Sequence, residues 1–144
     1  MLSAIVLICA VISSSTIYQP LAEKNSADVE IFKAEPGENP SRSLGRLHLT
    51  QIGSLLTIRG TLAGLKQGAH GLNIHEEAKL GDSCNAAGAP FKPNINLGDV
   101  TGATMVRVTS REISLEDIVG RAIVINGNAA DEGTRVACGV IRAS

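Results

Sequence analysis

Residues 71–93 read GLNIHEEAKLGDSCNAAGAPFKP. Leu72 and Ile74 alternate with Asn73 and His75, and the chain then enters a loop holding Gly81, Asp82, Cys84 and Gly88 before Pro90 and Phe91. Imidazole, thiolate and carboxylate are the side chains that hold transition metals, so the stretch has the outline of a metal site. It offers one histidine where such a site needs several. Metal-binding histidines come with companion ligands and with partners for the second ring nitrogen, and His75 alone reads as a strand histidine. Arg135, three residues before Cys138, could draw anions by electrostatic steering or bond the backbone of the loop around Cys84; without a metal beside it the second role is the expected one. His70 is expected to pack or to hydrogen-bond. His48, between Leu47 and Leu49, is expected to face solvent. Asp82 and Asp99 each stand beside a glycine and are read as turn residues.

The elements that would position these side chains repeat with period two. ADVEIFKA, GRLHLTQI, SLLTIRGTL, GLNIHE, ATMVRVTS, GRAIVING and ACGVIRA are short apolar-rich segments in which the period is mostly two, strand signals. Glycine and proline punctuate them at EPGENP, QIGS, LKQG and NGNAADEG. No segment sustains a 3.6-residue period, and SLEDIVG, residues 114–120, is read as loop. Asn126–Gly127 is a hairpin-turn signal and predicts a tight connection there. Seven or eight short strands with aliphatic cores predict an all-β fold, an antiparallel sandwich or barrel.

The chain has 144 residues, which is one domain's length. Lys plus Arg total 13 against 14 for Asp plus Glu, with two Phe, one Tyr and no Trp. There is neither a basic surplus for phosphates nor a set of rings for stacking bases, so nucleic acid is not an expected partner. Residues 2–12, LSAIVLICAVI, are apolar, and small residues follow at SSST. This is the pattern of a secretory signal peptide cut near Ser15, although no Lys or Arg precedes the run. It falls short of the roughly 20 apolar residues of a membrane span, and a membrane enters only if the segment stays uncleaved as an anchor. The expected division is a signal over 1–15, an N-terminal lead over 16–26 and one domain over 27–144. Cys9 would leave with the signal. Cys84 and Cys138 remain as an even pair in an oxidising compartment, where a disulfide is expected.

The succession LAGLKQGAHGLNIHE, GDSCNAAGAPF, GRAIVIN and GTRVACGVI resembles the copper/zinc superoxide dismutase family. The likeness runs from about Asp28 to Ala143, and RVACGVI with CNAAGAPF are its most specific parts. It implies an eight-stranded Greek-key barrel with two long loops, a Cys84–Cys138 disulfide, copper and zinc as cofactors, and four copper-ligating histidines, one of which bridges to zinc. Mapped onto this chain, the four positions are Asn73, His75, Pro90 and Asn126, so only His75 is retained. The loop that carries the zinc ligands is cut to residues 92–98, and the channel loop to residues 127–133. The arginine that guides superoxide in the family corresponds to Arg135. Copper must be held in two oxidation states by converging imidazoles. A neutral amide is a poor substitute, and proline has no side-chain donor.

The expectation is therefore a secreted relative of the dismutases that has lost most copper and all zinc ligands. It would bind no cofactor, perform no catalysis and act by binding protein, with an active dismutase subunit or a second copy as partner. A residual copper-dependent dismutase and an anion or small-ligand binder using the vacated cleft are the alternatives.

Overall fold

The computed structural model describes residues 25–91, 95–100, 104–128 and 133–144, with residues 95–100 and 104 described by their backbone alone. Nine strands form one antiparallel sheet. They are β1 (Ser26–Lys33), β2 (Ser43–Ile52), β3 (Leu55–Leu62), β4 (Gly68–His75), β5 (Ile95–Val100), β6 (Thr104–Ser110), β7 (Ala122–Asn126), β8 (Arg135–Val140) and β9 (Arg142–Ala143). Eight of them run in the order β5-β4-β7-β8-β1-β2-β3-β6, while β9 pairs only with β1. Neighbours in space that are distant in sequence, β8 beside β1 and β6 beside β3, give the curled sheet its Greek-key barrel form.

Alternation sets the interior. Ala27, Val29 and Ile31 of β1, Leu47 and Leu49 of β2, Leu72 and Ile74 of β4, and Ile123 and Ile125 of β7 are buried in one aliphatic cluster. Burying each of the Val, Leu and Ile side chains contributes about 1.5–3 kcal/mol. The glycine of RVACGVI has a packing reason: a Cβ on Gly139 would lie 2.1 Å from the Glu30 carbonyl oxygen of β1. Only a bare Cα lets β8 approach β1 so closely.

Four expectations need correction. Residues 114–120 are not all loop: Leu115–Ile118 forms one helical turn, α1, capped by the Ser114 side chain, which accepts from the Asp117 amide. It is held by burying Leu115 and Ile118 against the barrel. Residues 92–98 are not all loop, because β5 already begins at Ile95. Asp99 lies within β5 opposite Ala69 instead of in a turn. Asn126–Gly127 is not the hairpin turn. Asn126 still pairs with Arg135, the Gly127 amide bonds the Thr134 carbonyl at 2.6 Å, and neither residue has a positive φ. The connection lies beyond them. The proposed signal and most of the lead fall outside the described residues.

Candidate functional site on the outer wall of the barrel

The strand alternation that turns Leu72 and Ile74 inward turns Asn73 and His75 outward. On the neighbouring strand, Ile123 and Ile125 point in while Ala122, Val124 and Asn126 point out. Asn73 stands opposite Val124, and His75 opposite Ala122. Past the end of β4 the backbone pairs His75 with Pro90 in an isolated antiparallel bridge, flanked by Phe91 N to Ile74 O at 2.7 Å and Glu76 N to Ala89 O at 3.0 Å. Directly opposed residues of such a bridge share a face. The fold thus brings Asn73, His75, Pro90 and Asn126 onto one outer surface.

The disulfide loop covers part of this surface. Cys84 and Cys138 are bonded, with their Cα atoms 6.0 Å apart, and with Ala87, Ala122 and Val124 they make a second apolar cluster outside the barrel. The loop's bend needs three consecutive non-glycine residues at positive φ, Asp82, Ser83 and Cys84. Their amides are satisfied in part by the β1–β2 connection, through Asp82 N to Gly37 O at 2.8 Å and Ser83 N to Glu35 O at 3.0 Å. Arg135 ties the loop down from β8. Its Nη1 donates to the Cys84 carbonyl at 2.9 Å and its Nη2 to the Gly88 carbonyl at 2.8 Å. At the far end of the loop, the Arg121 guanidinium lies 3.7 Å from the centroid of the Phe91 ring, a cation–π contact.

His75 is 2% exposed. Its Nδ1 bonds the Gly88 carbonyl at 2.8 Å; a carbonyl only accepts, so Nδ1 carries the proton and Nε2 carries the lone pair. Nε2 is buried and has no hydrogen-bond partner among the described residues. Burial pushes the imidazole pKa below its ordinary value, and the nearby Arg135 charge pushes the same way, against the raising effect of the Gly88 bond. The ring is held neutral with one acceptor unpaired.

The other histidines have separate work. His70, 1% exposed, lies between the Asn126 carbonyl on Nδ1 and the Lys66 carbonyl on Nε2, each at 2.7 Å. It fastens the end of β7 to the β3–β4 connection, the hydrogen-bonding role expected for it. His48 faces outward as expected, half-exposed, and its Nδ1 stands 2.9 Å from Asp28 Oδ1 across the β1–β2 ladder. Asp28 also accepts from Ser144 Oγ at 2.6 Å. These two hydrogen bonds, that from Ser144 first, hold its carboxyl below the ordinary value. The sequence carried no signal for this Ser144–Asp28–His48 chain, since it depends on strand register and on β9.

An antiparallel Greek-key barrel with histidine and asparagine on its outer wall under a disulfide-tethered loop is the class of protein that these features define. The family model "Copper/zinc superoxide dismutase (SODC)" matches residues 43–141, and the chain belongs to that family. An extracellular superoxide dismutase [Cu-Zn] of Haemonchus contortus is 34% identical over 178 aligned positions, covering 98% of this chain and 97% of that protein. That alignment is longer than the chain, so stretches of the relative have no counterpart here. An extracellular superoxide dismutase [Cu-Zn] of Caenorhabditis elegans is 32% identical, covering 85% of this chain and 65% of its own length. A copper chaperone for superoxide dismutase of Mus musculus is 29% identical, over 69% of this chain and 48% of its own. Among solved structures, the monomeric copper, zinc superoxide dismutase of Salmonella enterica superposes with a TM-score of 0.64 at 23% identity, covering 81% of this chain and 99% of that one. The fold is therefore the dismutase barrel.

The family implies copper and zinc, and the residues present do not fit them. The outer surface offers one unprotonated imidazole nitrogen, two neutral amides and a proline. Among the described residues no group of three or more His, Cys, Asp and Glu side chains is placed to hold a metal ion.

Proposed function

We propose that this chain is a secreted, non-catalytic member of the copper/zinc superoxide dismutase family that acts by binding protein, with an active dismutase subunit or a second copy of itself as the partner. The observation that carries the non-catalytic reading is the outer surface of β4 and β7. Asn73, Pro90 and Asn126 share it with His75, so a single imidazole stands where redox-active copper needs several. The relatives named as copper chaperones for superoxide dismutase support a binding role. Export is supported by the disulfide and by relatives named extracellular; it would divide the chain into a signal over 1–15, a lead over 16–26 and a barrel domain over 27–144. Arg135 counts against the anion-binding alternative, because both its terminal nitrogens are engaged by loop carbonyls. Residual dismutase activity is the second reading. It draws on the unpaired His75 Nε2 and on the 34% identity to a named dismutase.

Copper stoichiometry and superoxide consumption decide between the two. Wild type is expected to hold well under one copper per chain and to leave superoxide decay unchanged. Asn73→His, Pro90→His and Asn126→His together are expected to raise copper to near one per chain, with activity returning only in part because the shortened loops no longer orient the ligands. Wild-type copper equal to that of the triple variant would overturn the non-catalytic reading. The binding half is tested by co-expression with an active extracellular dismutase and sedimentation of the product. A mixed oligomer or a homodimer is expected, and a monomer in both settings would remove it.

A further inference from the structure

Two of the three large apolar side chains left exposed among the described residues stand together at one end of the barrel. Ile52, the last residue of β2, is 79% exposed, and Val119, just after α1, is 37% exposed. With Asn25, Gln51, Leu115 and Glu116 they line one open cleft; the third, Met105 of β6, does not. The cleft is a built feature. Leu115 at its floor is 3% exposed, and its amide donates to Gln51 Oε1 at 2.5 Å, locking α1 to the end of β2. Apolar surface gathered in a polar-rimmed groove marks a place where something docks.

The course of the chain points to the occupant. Asn25 lines the cleft, and its carbonyl accepts from the Gln51 amide at 2.8 Å, one step beyond the Ser26–Thr50 pair. The β1–β2 ladder is thus still running at Asn25, and its antiparallel sense directs the preceding chain toward Ile52. The eight residues before Asn25 read IYQPLAEK, residues 17–24. Fully extended they reach roughly 28 Å at most, enough to cross the cleft from that anchoring point. Three of them, Ile17, Tyr18 and Leu21, are large and apolar, and Lys24 is opposite in charge to Glu116 on the rim.

We propose that residues 17–24 of this same chain occupy the cleft, laying Ile17, Tyr18 and Leu21 against Ile52 and Val119 and bringing Lys24 near Glu116. Pro20 suits a segment that crosses a surface without continuing a ladder, because it has no amide hydrogen to donate and a φ fixed near the extended range. The cleft is then an internal seat for the lead. A protein partner would have to bind elsewhere on the barrel or displace the lead first. The inference is independent of whether the chain binds copper.

Tyr18 is the sole tyrosine and there is no tryptophan, so tyrosine emission and its quenching by acrylamide report this segment alone. The experiment uses the secreted chain with its N-terminus sequenced, its Ile52→Asp and Met105→Asp variants, and the peptide IYQPLAEK. In wild type the quenching constant is expected to be several-fold below that of the peptide and independent of protein concentration. Ile52→Asp is expected to raise it to the peptide's value, and Met105→Asp to leave it unchanged. Circular dichroism checks that both variants fold, and Ile52→Ser substitutes if the aspartate does not. Wild-type quenching equal to the peptide's, or no response to either substitution at Ile52, overturns the proposal. So does protection that grows with concentration, which assigns the cleft to a second copy, and so does a secreted chain that begins after Tyr18 and lacks two of the three apolar side chains proposed to fill the cleft.

Discussion

The Gly88 carbonyl accepts from both His75 Nδ1 and Arg135 Nη2, and this sharing defines the roles of two residues that sequence reading singled out for chemistry. Arg135 works as a clamp on the disulfide loop. Charged hydrogen bonds contribute about 1.5–3 kcal/mol each, so Arg135→Ala is expected to destabilise by about 2–4 kcal/mol in urea unfolding, and Arg135→Lys should recover little because an ammonium cannot span two carbonyls as the planar fork does. A loss below about 0.5 kcal/mol would contradict the clamp. Asp28 gives a prediction in pH. Its folded pKa is depressed below 3.8, so its contribution is present above pH 3.8 and is lost as pH falls through the folded value. Ser144→Ala is expected to lower stability slightly at neutral pH, where Asp28 is ionised, and by the same amount to flatten the profile in that acid range, a small effect because the pair is well exposed; an unchanged acid slope would contradict it. The outer-wall positions were legible only through the family resemblance, which maps them from the motifs around Cys84 and within GRAIVIN. The tie of Arg135 to the backbone around Cys84 was expected too, but the partners of His70 were not, because backbone carbonyls carry no residue identity and one of its two partners is 56 positions away.

The disulfide loop is the element on which the candidate site depends. Its left-handed run at Asp82, Ser83 and Cys84 is disfavoured by roughly 1–2 kcal/mol per residue for ordinary side chains and less for aspartate. The tether to Cys138, the Arg135 clamp and the contacts to Glu35 and Gly37 hold it in place. Cys138→Ser is expected to lower unfolding free energy by about 2–5 kcal/mol, with proteolytic nicking appearing first within residues 76–90. If both thiols of the unreduced, unfolded chain alkylate freely, the bond is absent. Gly139→Ala is expected to cost about 1–3 kcal/mol or more by pushing β8 off β1; an unchanged melting midpoint would refute the close approach. Most strands could be read from alternation, because a wall with one buried face imposes period two on the sequence. β5 could not: INLGDV contains Asn, Gly and Asp, poor strand residues, and it is a strand because β4 pairs with it. The turn of α1 was too short to leave a period and owes its form to the Ser114 cap and two buried side chains. Asn126–Gly127 carried a genuine turn signal that the β7–β8 ladder overrides by pairing Asn126 with Arg135.

At the scale of the whole molecule, export is the expectation that governs the rest, since the disulfide and the proposed partners both belong outside the cell. N-terminal sequencing of secreted material should give a mature chain starting near residues 16–20, whereas an intact Met1 on membrane-bound protein would replace secretion with an anchor. Barrel and family were legible because the aliphatic pattern and the RVACGVI and CNAAGAPF segments survive. The molecule's actual role was not, because binding surfaces carry no obligatory residue types as metal sites do. The placement of Asn73, His75, Pro90 and Asn126 on the outside of the barrel has one more consequence. The wall they stand on is held from its other side by Leu72, Ile74, Ile123 and Ile125, so the candidate-site positions and the positions that pack the barrel core occupy opposite faces of the same two strands. In a saturation-mutagenesis survey scored by secretion, Leu72, Ile74, Ile123 and Ile125 should tolerate few substitutions because they fill the core, and the outward His75 and Val124 few as well because the disulfide loop covers them. Asn126, only partly buried, should be the most tolerant of the three candidate-site positions on these strands, ahead of Asn73 and His75. Such a barrel can change the chemistry of its outer wall while the packing that holds it together stays as it is.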